Sequence, residues 1–163
     1  MVRRDRAIED LYNELGPPLL AYACSLVRDA SSAEDVIHQV FLKLLSSREP
    51  LPIEPRPYLF RAVRNTSLNR LRAAGRELPQ RSEPPAFVAR DGLEVLVPDL
   101  QRALGELPDE QREVVVLRVW GGLTIEAAAE LTSVSSNTAA SRYRYGLAKL
   151  RERLGARVKG NHA

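Results

Sequence analysis

Two stretches of this 163-residue sequence carry side chains suited to gripping a polyanion. From Pro55 to Arg76 there is no Asp or Glu, while Arg56, Arg61, Arg64, Arg70, Arg72 and Arg76 all fall there. Arg61, Arg64, Asn65, Asn69 and Arg72 recur at helical spacing, so one helix would present them along one broad stripe. The second stretch, Ser141 to Lys159, carries Arg142, Arg144, Lys149, Arg151, Arg153, Arg157 and Lys159 against one acid, Glu152. Just ahead of it stand Ser135, Ser136, Asn137 and Thr138. Short polar side chains at a helix start, beside free backbone N–H groups, can meet phosphates and base edges. Arg142 and Arg144 follow within two turns, and an arginine fork can read guanine bidentately in a major groove. On charge alone, two solvated helix faces are the alternative. The net charge of +3 is too small to decide between them. No nucleophile–base pair, metal-ligand spacing or phosphate-binding glycine loop is found, so neither an enzyme, a cofactor nor a metal site is expected.

These side chains need helices to position them. Asp5 to Arg28 reads as helical, with Ile8, Leu11, Tyr12, Leu15, Leu19, Tyr22, Leu26 and Val27 near three- and four-residue spacing. Gly16-Pro17-Pro18 predicts a break or kink within it. Asp29-Ala30-Ser31-Ser32 reads as a turn in which Ser31 or Ser32 caps a helix running to about Leu45. Val36, Ile37, Val40, Phe41, Leu44 and Leu45 form its apolar stripe. Ser46 to Pro57, with four prolines, reads as a stiff loop. A third helix is expected over Tyr58 to Ala74. Gly75 to about Val97 reads as an extended, flexible linker between domains.

The second half is helical again. A short helix is expected over Asp99 to Leu107. Pro108-Asp109-Glu110 opens the next, whose near-continuous run Val114 to Trp120 would also suit a buried strand; the start signal and the Gly121-Gly122 stop favour helix. Thr124 caps a helix through Leu131, Thr132-Ser133-Val134 makes a tight turn, and Ser135 or Ser136 caps a last helix to about Leu154. Two short helices joined by such a turn, the second one basic, make a helix-turn-helix signature. An αα-hairpin in a bundle without DNA is the alternative. The expected fold is all-α, with two small helical domains at 5–74 and 99–157 and the linker at 75–98.

Composition agrees with helical cores. Apolar residues make up 44% of the chain, charged residues 28% and aromatic residues 6%. The single cysteine, Cys24, lies in an apolar run and is expected in the core. Met1 to Asp10 is charged and lacks a signal-peptide apolar region. No apolar stretch approaches the roughly 18 residues of a membrane span. A cytoplasmic protein without membrane insertion is expected.

Within this frame the sequence resembles the extracytoplasmic-function (ECF) sigma factors of bacterial RNA polymerase. Leu107-Pro108-Asp109-Glu110-Gln111-Arg112-Glu113-Val114, Gly122-Leu123-Thr124, Glu126, Ala129-Glu130, Asn137-Thr138, Ser141-Arg142 and Leu150-Arg151 resemble region 4 of that family. Ala33 to Phe41 is similar to region 2.2, and Tyr58 to Asn65 with Asn69 and Arg72 resembles regions 2.3 and 2.4. The motifs stand in the family's order and cover most of the chain outside the linker and termini.

The resemblance implies a dissociable polymerase subunit that directs the core enzyme to promoters and assists their melting. Region 4 would dock on the β flap and read the −35 element through Ser136, Asn137, Thr138, Ser141, Arg142, Arg144 and Tyr145. Arg61, Arg64, Asn65, Asn69 and Arg72 would meet the melted −10 strand. Asp35, His38, Gln39 and Phe41 would bind the β′ clamp helices. The Ser46–Pro57 loop lies where the family holds a flipped −10 base, and a bland surface loop is the alternative. The expected partners are core polymerase and promoter DNA, and the family also admits an anti-sigma factor. The chain departs from the family's usual residues at His38, Gln39, Asn69, Ser133, Asn137 and Ala140, which bears on promoter sequence and core affinity more than on class. The rivals are a LuxR-like helix-turn-helix regulator, which would bind duplex DNA without polymerase, and a helical adaptor that binds protein only.

Overall fold

A computed structural model describes residues 2–75 and 97–160. The expected linker, apart from its ends, and Arg76 lie outside the described residues, as do the side chains of Arg157 and Lys159. Every regular element among the described residues is an α-helix: α1 (Val2–Val27), α2 (Ala30–Ser46), α3 (Pro55–Ala73), α4 (Val97–Gly105), α5 (Asp109–Val119), α6 (Ile125–Thr132) and α7 (Ser136–Gly160). The chain divides into two compact units, one built from α1–α3 and the other from α4–α7.

In the first unit each helix packs on the other two. Helix α1 runs unbroken through Pro17 and Pro18, contrary to the expected break. An interior proline costs a helix about 3 kcal/mol or more. Here Pro18 is itself buried, and Leu15, Leu19 and Tyr22 on the same helix are at most 2% exposed. Full burial of such side chains contributes about 1.5–3 kcal/mol each, enough to hold the helix across the missing N–H bonds. Tyr22 meets Phe60 of α3 with ring centroids 5.5 Å apart, both rings fully buried. Cys24 is a core residue as expected, and burial, with Glu34 and Asp29 adding to it, pushes its thiol up to about 11.

The cap of α2 is Asp29, not Ser31 or Ser32. Its backbone is extended, and its carboxylate accepts the Ser32 N–H at 3.0 Å. A carboxylate accepts more strongly than a hydroxyl, and Asp29 stands at the position where the helical dihedrals begin. Bonds from the Ser32 hydroxyl and N–H hold the Asp29 carboxyl below its usual range. Its contribution to stability is therefore complete above the ordinary Asp value and fades as pH falls through the lowered one.

Helix α3 begins at Pro55, three residues earlier than expected, so the loop spans only 47–54. Prolines at the first turn displace N–H groups that have no intrahelical partner in any case. On the buried face of α3, Ser67 is fully buried and its hydroxyl has no hydrogen-bond partner. Ser67→Ala removes an unsatisfied group without opening a cavity. Urea denaturation is expected to show stability unchanged or raised by up to about 1 kcal/mol; a clear loss would reveal a hidden partner for this hydroxyl.

In the second unit α4, α5 and α6 all pack on α7. Val114, Val115, Val116 and Leu117 are fully buried within a helix, which decides the strand alternative. Helix α5 stops where the Gly121 N–H reaches the Val116 carbonyl at 3.0 Å and Gly122 takes φ 65°. Val119, expected to be apolar lining, is 52% exposed at this end. Arg112 is 5% exposed; its guanidinium donates to the Leu107 carbonyl at 3.2 Å and pairs with Asp109, so the α4–α5 turn closes around it. Helix α4 starts two residues before Asp99, and α7 continues past Leu154 to Gly160.

Gly146 of α7 packs tightly against α5. A Cβ there would stand 2.7 Å from Cγ2 of the fully buried Val115. Gly146→Ala gains about 1 kcal/mol of helix propensity, against overpacking of about 1–3 kcal/mol. A net loss near 1 kcal/mol is expected in thermal melts; a variant more stable than the parent would mean that Val115 yields.

Candidate nucleic-acid interface

The helix-turn-helix is assembled by local chemistry. The Thr124 hydroxyl oxygen accepts the Ala127 N–H at 3.1 Å and starts α6. Ser133 ends it in the left-handed region at φ 58°, with the Val134 N–H on the Ala129 carbonyl at 3.0 Å. Serine there takes a conformation that suits glycine, which α6 tolerates because the turn satisfies its last carbonyls. Ser135 caps α7, accepting the Thr138 N–H at 3.1 Å and donating to the Thr138 hydroxyl at 2.9 Å. Buried Ala128 and Ala129 leave room for α7 to approach.

On α7, Ala139, Gly146 and Leu150 face inward. At 3.6 residues per turn, Asn137, Ser141, Arg144 and Tyr145 fall on the opposite side, with Thr138 on its flank and Arg142 nearer the buried side. Asn137, Thr138, Arg144 and Tyr145 are exposed, and Ser141 and Arg142 half-buried. The Arg144 guanidinium lies 5.6 Å from the Tyr145 ring centroid. Ser136 is exposed at the helix start, on another side. Five of the seven expected residues thus share one face, and Arg142 and Ser136 border the buried side.

Helix α3 is organised the same way. Leu59, Phe60, Val63 and Ser67 are buried, and Arg61, Asn65, Asn69 and Arg72 fall opposite them and are exposed, with Arg64 half-buried beside them. Two of the other arginines in this acid-free stretch turn inward to the bundle. Arg70 pairs with Asp35 of α2 at 3.0 Å, and Arg56 with Glu14 of α1 at 3.6 Å. Asp35, expected on a polymerase-binding face, is therefore engaged within its own unit while still exposed.

His38 and Gln39 are exposed on α2, and Phe41 is buried, with its ring edge-on to Tyr12 at 5.0 Å. His38 and Phe41 line a groove of about 430 Å³ between α1 and α2, together with Asp5, Ile8, Glu9, Tyr12, Leu42 and Leu45. Among the described residues no group of His, Cys, Asp or Glu could hold a metal ion, and no helix is long and apolar enough to cross a membrane.

The two halves match separate family models. Residues 11–77 match Sigma-70 region 2, and residues 99–150 match Sigma-70, region 4. The RNA polymerase sigma factor CarQ of Myxococcus xanthus is 32% identical, over 91% of this chain and 90% of its own length. The ECF RNA polymerase sigma factor SigL of Mycobacterium tuberculosis is 29% identical, over 86% of this chain and 85% of its own. The chain is an ECF sigma factor.

Solved structures agree with this family. The sigma factor RpoE of Bartonella quintana, solved in complex with the anti-sigma factor NepR, has a TM-score of 0.67 and 25% identity, covering 90% of this chain and 98% of its own. CnrH, solved with the cytosolic domain of CnrY, has the same fold at a TM-score of 0.63. Reading the sequence missed several residues that shape this sigma factor's surfaces. Tyr12 and Leu45, expected inside, are 43% and 45% exposed and line the groove with Leu42. Arg118 donates to the Leu123 carbonyl at 2.8 Å and lies 5.5 Å from the Tyr143 ring centroid, tying the α5–α6 turn to α7. The apolar groove was visible in principle, since Leu42 breaks the polar face of α2.

Proposed function

We propose that this ECF sigma factor directs core RNA polymerase to its promoters and helps to melt them, with residues 5–74 acting as region 2 and 99–157 as region 4. The outward face of α7, with Asn137, Thr138, Ser141, Arg144 and Tyr145, enters the major groove of the −35 element, and Arg142 reaches it from beside that face. This face carries the reading, because polar and cationic side chains on a capped helix after a tight turn are what groove recognition requires. Ser136 meets a phosphate at the helix start. The α3 stripe of Arg61, Arg64, Asn65, Asn69 and Arg72 holds the melted −10 strand. The 47–54 loop, stiffened by Pro50 and Pro52, receives an unstacked base of that strand.

His38, Gln39 and the adjoining groove, with Asp35 and Phe41 supporting them, dock on the β′ clamp helices. Region 4 docks on the β flap. RNA synthesis belongs to the polymerase, so the subunit performs no catalysis of its own and works in the cytoplasm. An anti-sigma factor is a further partner, as in the RpoE structure.

Adding the protein to sigma-free bacterial core polymerase tests the reading. Sequence-specific open complexes are the expected result. Specific duplex binding without open complexes would instead indicate a LuxR-like regulator, and binding to protein alone an adaptor.

A further inference from the structure

Arg4 joins three parts of the first unit. Its Nη2 donates to the Leu44 carbonyl at 3.0 Å and to the Glu49 carbonyl at 3.1 Å. Leu44 lies in the last turn of α2, where carbonyls lack intrahelical partners and the helix dipole is negative. The Lys43 carbonyl is already served by the Ser47 N–H at 3.1 Å and the Ser46 hydroxyl at 3.2 Å. Glu49 lies in the loop that follows, and its own N–H donates to the Ser47 hydroxyl at 3.2 Å. The guanidinium is partly buried in this junction, and its Nε is shielded from solvent without a partner. One side chain near the start of α1 thus fixes both the end of α2 and the first turn of the loop.

Beyond Glu49 the loop has little freedom left. Pro50 and Pro52 fix φ, and Pro55 starts α3. Between them Ile53 stands fully exposed. A loop held at both ends and stiffened between them presents such a side chain in one place.

We propose that Arg4 is a positioning residue for promoter selectivity: by bridging Leu44 and Glu49 it sets the pose of the 47–54 loop and so the −10 base preference. Arg4 touches no DNA. The inference rests on the reading that this loop receives a −10 base.

The test uses the full chain with core polymerase and a promoter pool randomised separately across the −10 and −35 elements. Arg4→Ala is expected to relax the preference at one −10 position by about fivefold to tenfold, as loss of preorganisation would, with the −35 preference unchanged. Arg4→Lys keeps the charge and the stem but lacks the planar fork, so it should shift the same position by less. A folded Arg4→Ala protein with lower activity and the parental −10 profile overturns the proposal, because a merely structural role predicts that. Should Arg4→Ala not fold, Arg4→Lys decides: a relaxed profile supports the strut, and a parental profile overturns it. Replacing residues 47–54 with a relative's loop separates the two layers. A shifted profile there with a parental one in Arg4→Ala rejects Arg4 alone; parental profiles in both reject the −10 reading of the loop.

Discussion

Phe60→Ala is expected to unfold most of the first unit and leave the second intact. Phe60 is fully buried and rests on the equally buried Tyr22, so its ring is gripped by α1 and α3 together. Truncating a buried phenylalanine costs about 3–5 kcal/mol, from lost transfer energy and the cavity left behind. Small domains hold only about 5–15 kcal/mol in total, and one of three helices lies toward the low end. The loss therefore takes much of what the unit has. Hydrogen exchange read by mass spectrometry distinguishes the halves: amides of α1–α3 should lose protection, while those of α5–α7 keep theirs. Equal loss in both units would show that they do not unfold separately. A change under about 1 kcal/mol would mean that the core closes over the cavity.

Arg142→Ala is expected to weaken promoter binding through one element only. Arg142 is half-buried beside the packed side of α7, where its stem can pack while its fork reaches outward. Removing one arginine that reads a base costs about 1–3 kcal/mol, or roughly 5- to 150-fold in affinity. The loss should be largest on the preferred −35 sequence and should flatten the preference at one base pair. Uniform weakening across all −35 sequences would make Arg142 a phosphate contact. Tyr145→Ala is the useful companion: Tyr145 is 57% exposed, so its removal should leave the melting temperature nearly unchanged. A binding series over −35 variants checks both.

How much of this could be read beforehand depends on the distance over which each feature is decided. Thr124, Ser135 and the Ser133 turn act within four residues, and the expected elements α6 and α7 follow from them. The faces of α3 and α7 follow from periodicity alone. Asp29 and Pro55 are local too, but several residues near each could serve, and dihedrals rather than residue type choose among them. What stays hidden in the sequence is decided between distant residues. Arg70 belongs to Asp35, Arg56 to Glu14, and Arg4 to carbonyls at Leu44 and Glu49. Tyr12, Leu42 and Leu45 are apolar by type and partly exposed by position, because they line the groove between α1 and α2. Nothing in the helical period distinguishes Tyr12 and Leu45 from their buried neighbours; Leu42 alone stands out, because it breaks the polar face of α2.

The internal pairing of Arg70 and Arg56 also limits what the first unit can gain from dilute salt. An arginine already paired with Asp35 or Glu14 displaces fewer cations from DNA, so Arg70 and Arg56 each add less than a full charge to the salt dependence. Single strands give a slope of about −0.7 per phosphate neutralised, so each such pairing takes up to about 0.7 off the steepness of log affinity against log salt expected for the −10 strand. Counting all six arginines of residues 55–76 as full charges would overstate that slope. A −10 strand held as proposed would thus feel a weaker ionic grip than those six arginines suggest, with the remainder of its hold in contacts that salt does not screen.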